Sequence, residues 1–291
     1  MARIGVIGVG NIGAAIANNL VADGDEVTVT DADAARAASI AGATAVGSAA
    51  EVGARADITI TSLPSPEVIA KVADEWSGAA AKGSILLDIS TTSPARNRGI
   101  ADQLAASGHH FVEAPLTGGA PGAASRMLVF MIGGDTEPVE RCRPVLERLG
   151  RAVFHMGPVG TGSTMKLVNS LLAFTCTWVS LEGLSLAQRA GIEPRAAVEV
   201  IRTGGASNFY IDRGVEGINE RGRPPQFALE LAAKDAALID ALAEELDVPA
   251  PVAHAIAAVF SDAVDRGLGP RDWSDLVLAA EERAGIELRL G

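Results

Sequence analysis

The stretch RIGVIGVGNIGAAIANNL, residues 3–20, decides the fold, because it holds three glycines in the spacing G-x-G-x-x-G. Gly8, Gly10 and Gly13 follow a short β-branched run and open a run with helical spacing. In that context the first glycine permits a tight turn, the second leaves room for a pyrophosphate, and the third allows close helix–strand packing. A helix amino terminus also attracts phosphate charge. The stretch predicts a dinucleotide-binding turn, which also contains Asn11 and Ile12.

A carboxylate follows the second predicted strand, in EVTVTDAD, residues 26–33. Asp31 comes about twenty residues after the glycines, the usual place for a group that binds the ribose hydroxyls. A carboxylate there would repel a 2′-phosphate, so we favour NAD over NADP. The alternative is that Asp31 only caps the next helix.

Two later strand ends should face the same ligand, since ligands gather at the carboxyl ends of parallel strands. They are TSLPSP (61–66) and LDISTTSP (87–94). The candidate residues are Leu63, Pro64, Ser90 and Thr91. Ordinary turn and cap chemistry is the alternative for each of them.

The chain divides into two parts with different patterns. The first part alternates β-branched runs with helical segments, which predicts a parallel sheet wrapped by helices. Its predicted strands are Ile4–Ile7, Glu26–Thr30, Ile58–Thr61, Ile85–Asp88, His110–Glu113, Leu128–Ile132 and Ala152–His155, with helices at Ile12–Ala22 and Glu67–Asp74. The second part is predicted to be helical at Ser163–Ala190, Arg195–Arg202, Phe227–Glu245, Val252–Arg266 and Trp273–Ala284. We therefore predict an α/β Rossmann-type domain (residues 1–160) followed by an all-α domain (161–291), joined by a long helix.

Composition excludes several classes of protein. A formal net charge of -12 argues against nucleic-acid binding. Cys142 and Cys176 form no disulfide framework, and neither the cysteines nor the four histidines show metal-ligand spacing, so no metal is expected. No secretory signal is recognisable, and the apolar region around 167–186 is interrupted by Glu182, which favours a buried helix over a membrane span. We expect a cytoplasmic protein without membrane partners.

One lysine stands out in GPVGTGSTMKLVNSLLAF, residues 157–174, which is otherwise uncharged. The chain has twenty arginines and four lysines, of which Lys166 is one. Arginine stays charged at any working pH, whereas a buried lysine can titrate near neutrality. Its predicted place in the first turn of a helix, where the dipole opposes positive charge, would lower its pKa further. Lys166 is therefore a candidate for proton chemistry, with a surface lysine as the alternative.

Several motifs, in order along nearly the whole chain, together resemble the β-hydroxyacid dehydrogenase family. They are GVGNIGAAIANNL (8–20), TSLPSP (61–66), DISTTSP (88–94), FVEAPLTGGAPGA (111–123), GPVGTGSTMKLVNS (157–170) and LELAAKDAALI (229–239). The resemblance implies a Rossmann-type domain, a helical domain and a catalytic lysine on the helix between them. It also implies reversible hydride transfer between a nicotinamide cofactor and the β-carbon of a hydroxy acid.

The same resemblance implies the remaining site residues. Thr117 and the amides of Gly118 and Gly119 would bind the substrate carboxylate. Asn169 or Ser170 would orient the substrate; family members often carry an amide at the second position, so the choice between the two stays open. Lys234 would approach the cofactor, the alternative being a solvated charge paired with Asp235 or Glu230.

Two departures from the family pattern concern the substrate loop. Glu113 and Thr117 stand where the family usually has Asp and Ser, and each keeps the functional group. Arg126 occupies a segment in which relatives commonly have glycine. We expect its side chain to reach solvent, with an anion contact as the alternative.

The leading hypothesis is an NAD-dependent dehydrogenase of small, 3-hydroxyisobutyrate-like hydroxy acids, with Lys166 as general acid and base. The alternatives are an NADPH-dependent semialdehyde or imine reductase of the same fold, and a cofactor-binding module without activity. Because the apolar stripe of the long helix exceeds what a small domain buries, we also expect a homodimer or homotetramer.

Overall fold

The computed structural model describes residues 2–291 and separates into two compact units. The first unit ends at Lys166 and the second begins at Leu167. The first contains a single sheet with helices on both faces, and the second is built from helices. This is the predicted order of an α/β domain and an all-α domain.

The sheet of the first unit is the frame on which its loops are placed. Its strands within residues 2–291 are β1 (Arg3–Ile7), β2 (Glu26–Thr30), β3 (Thr44–Ala45), β4 (Ile58–Thr61), β5 (Ile85–Asp88), β6 (His110–Glu113), β7 (Leu116–Thr117), β8 (Leu128–Gly133) and β9 (Gly150–Gly157). They lie side by side in the order β3-β2-β1-β4-β5-β6-β8-β7. The remaining strand, β9, is not part of this order and pairs with β8. The first six positions are parallel, the order of a Rossmann-type sheet.

Side chains on successive strand residues pack on opposite faces of this sheet. The flanking helices are α1 (Asn11–Ala22), α2 (Ala34–Ala38), α3 (Ala49–Gly53), α4 (Pro66–Ser77), α5 (Pro94–Ala106), α6 (Gly119–Ala124) and α7 (Thr136–Leu149). Val6 packs with Leu20 of α1 in one apolar cluster, whereas Ile7 packs with Trp76 of α4 in another. The two clusters are the two layers of core that α/β proteins need.

All the strands expected from the sequence are present, but two of them run in the opposite direction, namely β8 and the β9 strand that is parallel to it. β8 is antiparallel to β6 and β7, whereas a fully parallel sheet was the expectation. The chain turns back after β6 through the short β7 and the six-residue α6, and a parallel return normally needs a longer crossover. The apolar pattern of β8 carries no information on strand direction. β3 and β7, with two residues each, are too short to show a pattern.

The second unit is formed by helices around one apolar cluster. They are α8 (Thr161–Arg189), α9 (Pro194–Thr203), α10 (Leu229–Glu245), α11 (Pro251–Ala263) and α12 (Leu276–Ala284). α8 starts in the first unit and continues through most of its length in the second. By length and hydropathy alone α8 could cross a membrane. The predicted stripe, however, packs into the core of the second unit, where Leu167, Phe174 and Trp178 are buried.

Two predicted helices of the second unit are shorter than expected. α11 ends at Ala263 and gives way to a π-helical turn, Val264–Leu268, in which Gly267 has φ +83°. α12 is preceded by a 3₁₀ turn, Trp273–Asp275, whose start is capped by the Asp272 side chain. Glycine is favoured at positive φ and aspartate at a cap, so local chemistry interrupts an otherwise helical apolar pattern.

Candidate active site

The glycine turn between β1 and α1 has the shape that its spacing predicted. Gly8 has φ +88°, and a Cβ atom added there would lie 2.3 Å from the Ser62 carbonyl oxygen. A Cβ at Gly13 would lie 1.9 Å from the Gly8 carbonyl oxygen. Both contacts are too short for any side chain, so these two glycines are required by backbone packing.

Gly10 is different, because a Cβ added there would meet no atom within 4 Å. Gly10 precedes α1 without a side-chain cap, and Asn11 is exposed while Ile12 is half-buried. The open space lies at the amino terminus of a 12-residue helix, where a phosphate is stabilised by amide groups and the helix dipole. The residues present therefore fit the pyrophosphate of a dinucleotide.

Asp31, at the end of β2, bonds to the glycine turn. Its Oδ2 accepts a hydrogen bond of 2.8 Å from the Val9 amide, and its Oδ1 accepts one of 2.9 Å from the Asp33 amide. The helix cap that Asp31 was considered for is supplied by Asp33, whose side chain accepts from the Ala35 amide at the start of α2. The cap alternative for Asp31 is therefore wrong.

The loops after β4 and β5 are joined by a buried carboxyl group that the sequence analysis did not single out. Asp88 Oδ1 accepts from the hydroxyls of Thr61 and Ser90, each at 2.7 Å. Ser90 Oγ in turn accepts from the Leu63 amide at 2.9 Å. This chain of bonds holds the predicted loop residues Leu63 and Ser90 together, beside exposed Pro64 and half-buried Thr91.

Asp88 is fully buried, and its Oδ2 atom has no hydrogen-bond partner among residues 2–291. Burial raises the pKa of Asp88 to about 6, and the charge of neighbouring Glu113 acts in the same direction. The available sequence signal is the ending of the strand ILLD, an apolar run that closes on a carboxylate.

Glu113, at the end of β6, forms the second buried group and binds the start of α8. Its Oε1 accepts from the amides of Gly160 (2.8 Å) and Ser163 (3.1 Å). Its Oε2 accepts from the Ser163 hydroxyl (2.7 Å) and from the Asn97 side-chain amide. Sequence analysis identified Glu113 only as a departure from the family pattern and assigned it no role.

Lys166 lies in the second turn of α8 and is half-buried. The prediction placed it in the first turn, and that is wrong because α8 starts at Thr161 rather than Ser163. The earlier start follows from Gly160, which has φ +102° and from the hydrogen bonds of Glu113. The dipole effect is confined to the first turn, so that part of the argument for a lowered pKa of Lys166 does not apply.

The proposed carboxylate-binding loop combines a short strand with a glycine turn. Thr117 ends β7 opposite Val129 of β8 and is half-buried. Gly118 (φ +123°) and Gly119 (φ +61°) follow it in conformations that favour glycine, and both are exposed. The loop therefore offers an accessible hydroxyl and backbone without side chains.

The other predicted site residues belong to the second unit. Asn169 is half-buried on α8, three residues beyond Lys166, whereas Ser170 is buried. On a helix, residues three apart share a face, so Asn169 and Lys166 lie on the same face of α8. Lys234, on α10, has its Nζ 3.0 Å from Oδ1 of Asp235, which is the ion pair named as the alternative to its cofactor role.

Arg126 forms an ion pair with Asp23 instead of ending free in solvent, and its side chain is 35% exposed. Its guanidinium donates to both carboxylate oxygens of Asp23, at 3.0 and 2.7 Å, and to the carbonyl oxygens of Asn19 and Arg148. Its backbone has φ +60°, the region that glycine would occupy without strain. The bidentate pairing with Asp23 holds the arginine side chain in place.

Cys142 is buried, and burial raises the pKa of its thiol to about 12. Residues 2–291 contain no group of three or more His, Cys, Asp or Glu side chains that could hold a metal ion.

Comparison with known families matches both units. Residues 3–157 match the family model described as the NAD binding domain of 6-phosphogluconate dehydrogenase. Residues 160–280 match that described as NAD-binding of NADP-dependent 3-hydroxyisobutyrate dehydrogenase. The chain therefore carries NAD(P)-binding domains.

Individual relatives are similar over nearly the whole length. The chain is 31% identical to 2-(hydroxymethyl)glutarate dehydrogenase of Eubacterium barkeri, over 99% of this chain and 98% of that protein. It is 32% identical to mitochondrial 3-hydroxyisobutyrate dehydrogenase of Drosophila melanogaster, over 94% and 87%, and 30% identical to NAD-dependent L-serine dehydrogenase of Pseudomonas aeruginosa, over 94% and 96%.

A solved structure of Mycobacterium tuberculosis 3-hydroxyisobutyrate dehydrogenase with L-serine has a TM-score of 0.87 and 28% identity, covering 96% of this chain and 98% of the other. These similarities agree with the structure of the glycine turn and with the sequence motifs quoted above. The chain belongs to the β-hydroxyacid dehydrogenase family of oxidoreductases.

Proposed function

We propose that the protein is an NAD-dependent dehydrogenase of small, 3-hydroxyisobutyrate-like β-hydroxy acids, in which Lys166 is the general acid and base. The observation that carries the proposal is the attachment of α8. Glu113 bonds the first turn of α8 to the carboxyl end of β6, and the glycine turn lies at the same end of parallel β1. Lys166 is therefore on a helix whose first turn is attached to the carboxyl ends of the strands, the end of the sheet that would hold the cofactor.

The reaction removes a hydride and a proton from one alcohol group. A nicotinamide dinucleotide held by the glycine turn (Gly8, Gly10 and Gly13) and Asp31 would supply the hydride acceptor for the carbon that carries the hydroxyl. The Lys166 amine accepts the hydroxyl proton as the carbonyl forms, and in the reverse direction the ammonium returns it to the developing alkoxide oxygen. Thr117 and the amides of Gly118 and Gly119 bind the substrate carboxylate, and Asn169 orients the hydroxyl.

NAD is the proposed cofactor because of Asp31. Its carboxylate is held at the glycine turn by the Val9 amide, where it can accept hydrogen bonds from ribose hydroxyls and would repel a 2′-phosphate. The L-serine dehydrogenase of Pseudomonas aeruginosa, a relative of the chain, is NAD-dependent by name.

Reduction of semialdehydes with NADPH is the second candidate function. It is favoured by glyoxylate/succinic semialdehyde reductase 2 of Arabidopsis thaliana, which is 32% identical over 95% of this chain and 78% of that protein. Because the chemistry is reversible, Lys166 would serve as the proton donor in that case. The imine reductases that share the fold are similar at low identity only, and they support the fold alone.

Steady-state assays with purified protein test the proposal. NAD⁺ and NADP⁺ are each offered with 3-hydroxyisobutyrate, serine, 2-(hydroxymethyl)glutarate and, as a control, the α-hydroxy acid lactate. We expect reduction of NAD⁺ with at least one β-hydroxy acid and none with lactate. Turnover confined to NADPH and a semialdehyde would support the second candidate, and cofactor binding without any turnover would indicate a module without activity.

A homodimer or homotetramer is also proposed, on the basis of the outer face of α8. Val168, Leu172, Val179 and Leu186 recur at helical spacing and have exposed fractions of 42, 62, 53 and 73%. An apolar stripe of this length is unusual on a monomer surface. Light scattering at assay concentration should give a mass of two or four chains, and a monomeric mass would exclude this arrangement.

A further inference from the structure

We propose that Glu113 is a positioning residue, which holds the first turn of α8 so that Lys166 is presented at a fixed place. The inference rests on the proposed role of Lys166 as the proton-transfer group. It assigns a role to a residue that does not itself touch the reacting atoms.

The first argument is the number of bonds that Glu113 makes to one helical turn. The first amides of a helix have no partner within the helix. The carboxylate of Glu113 takes two such groups, the amides of Gly160 and Ser163, together with the Ser163 hydroxyl. Thr164 then closes the turn through its amide and its hydroxyl, both of which donate to the Gly160 carbonyl oxygen.

The second argument is the closeness of the packing around this carboxylate. A Cβ added at Gly162 would lie 2.4 Å from the Met131 carbonyl oxygen and 3.1 Å from Oε1 of Glu113. A Cβ added at Gly133 would lie 2.3 Å from the same Oε1. Two glycines, one on α8 and one on β8, therefore make room for Glu113, and the turn cannot move towards the sheet.

The third argument is that α5 secures Glu113 from another side. Asn97, which is completely buried, donates from its side-chain amide to Oε2 of Glu113 and to the Ser163 hydroxyl, the latter at 2.8 Å. The carboxylate thus has four donors from three residues and both its oxygens are used. Both oxygens of Glu113 are therefore satisfied, although Asn97 Oδ1 has no hydrogen-bond partner among residues 2–291, and buried bonds of this kind hold the joined groups in place.

This rigidity is transmitted to Lys166 by the helix itself. Ser163 lies three residues before Lys166, which is one turn of the same helix and the same face. A displacement of the first turn therefore becomes a displacement of the lysine. Misplacement of a catalytic group by about 1 Å can lower a rate by about 100-fold.

The principal test is Glu113→Gln in the full-length protein. The amide keeps the size of the side chain, but its nitrogen cannot accept from the Asn97 amide, so the network must rearrange. We expect kcat for oxidation of the best hydroxy acid to fall about 10- to 100-fold. The KM values for NAD⁺ and for the hydroxy acid should change less than about twofold, because the residues proposed to bind them are unaltered.

Thr59→Val is the matched control. Thr59 is also completely buried, on β4, and its hydroxyl accepts a 2.9 Å hydrogen bond from the Trp76 indole, with no contact to α8. Loss of a buried hydrogen bond on the sheet should lower the unfolding midpoint but leave kcat at the wild-type value. A fall in kcat for Thr59→Val equal to that for Glu113→Gln would show a general structural effect and overturn the proposal.

Ser163→Ala provides a second variant in case Glu113→Gln does not fold. It keeps the carboxylate and removes only the hydroxyl of Ser163, so we expect a fall in kcat of about 3- to 10-fold with unchanged KM values. In the double variant the two effects should not multiply, since both act on one network. Unchanged kcat in Ser163→Ala and Glu113→Gln, or in Ser163→Ala alone when the other is unfolded, would overturn the proposal.

Lys166→Ala, measured in parallel, separates this proposal from the proposed function. If Lys166→Ala abolishes turnover while Glu113→Gln keeps the wild-type kcat, the positioning role is wrong and the proposed function stands. If Lys166→Ala retains turnover, the proposed role of Lys166 is wrong and the positioning role is overturned with it, whereas the assigned dehydrogenase activity stands.

Discussion

The carboxylate of Asp31 accepts a hydrogen bond from the Val9 amide at 2.8 Å. This bond joins the end of β2 to the middle of the glycine turn, so the group expected to select the cofactor is built into the loop expected to bind its phosphates. A change at Asp31 can therefore alter either the charge or the loop, and the two effects need different substitutions.

Asp31→Asn removes the charge and keeps an oxygen that can accept from Val9. We expect the ratio of kcat/KM for NADP⁺ to that for NAD⁺ to rise at least about tenfold, equivalent to about 1.4 kcal/mol, because the 2′-phosphate is no longer repelled. Asp57→Asn is the matched control. It removes the same charge at the opposite end of the strands, where Asp57 precedes β4 and pairs with Arg3. An unchanged ratio in Asp31→Asn would mean that Asp31 does not face the ribose.

Gly10→Ala should weaken cofactor binding, whereas Gly13→Ala should destabilise the fold. Gly10 has φ −68° and open space around its Cβ position, so alanine should leave the unfolding midpoint near that of wild type while raising the KM for NAD⁺ at least about tenfold. Gly13→Ala would force a Cβ to within 1.9 Å of the Gly8 carbonyl oxygen, and overpacking of this kind costs about 1–3 kcal/mol or more.

Gly99→Ala is the control for these glycine substitutions. Gly99 is exposed within α5 and has no atom within 4 Å of its Cβ position, so alanine should stabilise that helix by about 0.5–1 kcal/mol. Thermal unfolding of the three variants measures the effect of each alanine on packing. Titration with NAD⁺ measures its effect on the space available to the cofactor. Normal NAD⁺ affinity in Gly10→Ala would show that the space beside it is not occupied by the cofactor.

Lys166→Ala should reduce kcat by about 100- to 10,000-fold, the usual contribution of general acid–base catalysis, and leave the Kd for NAD⁺ within about threefold. Lys166→Arg should be almost as inactive, because a guanidinium keeps its proton. Lys71→Ala, on the exposed surface of α4, is the matched control and should be fully active. Equal losses of NAD⁺ binding and turnover in Lys166→Ala would contradict a role in proton transfer.

Asp88 should make stability depend on pH. Burial raises its pKa from 3.8 to about 6, so the folded state binds the proton more tightly than the unfolded chain. The resulting stabilisation is complete below about pH 4 and is lost as the pH rises through about 6, a change of about 3 kcal/mol.

Urea unfolding of wild type and Asp88→Asn between about pH 4 and about pH 7 measures this change. The free energy of unfolding of the variant, relative to wild type, should rise by about 2.5 kcal/mol over that range. Taking the difference between the two proteins cancels the other acidic groups, which are numerous in a chain of net charge -12. A constant difference would show that Asp88 titrates normally.

The fold was largely predictable from local sequence pattern, because the predicted strands of the first unit are short, mostly apolar runs and because close backbone contacts require Gly8 and Gly13. The direction of the strands was not predictable from the same pattern. β8 is antiparallel to β6 because the connection between them is too short for a parallel crossover. The buried groups were also hidden. Asp88 and Glu113 each end an apolar strand, but their partners Thr61 and Ser163 are distant in sequence and are brought near only by folding.

The boundary between the two units falls within a continuous helix, after Lys166. A fragment that stopped at Gly157 would lack three of the hydrogen-bond donors of Glu113, namely the amides of Gly160 and Ser163 and the Ser163 hydroxyl. Recombination between homologous genes would therefore yield folded chimaeras more readily from crossovers beyond codon 166 than from crossovers in the turn before α8. The start of α8, with Lys166, would then be inherited with the NAD(P)-binding half.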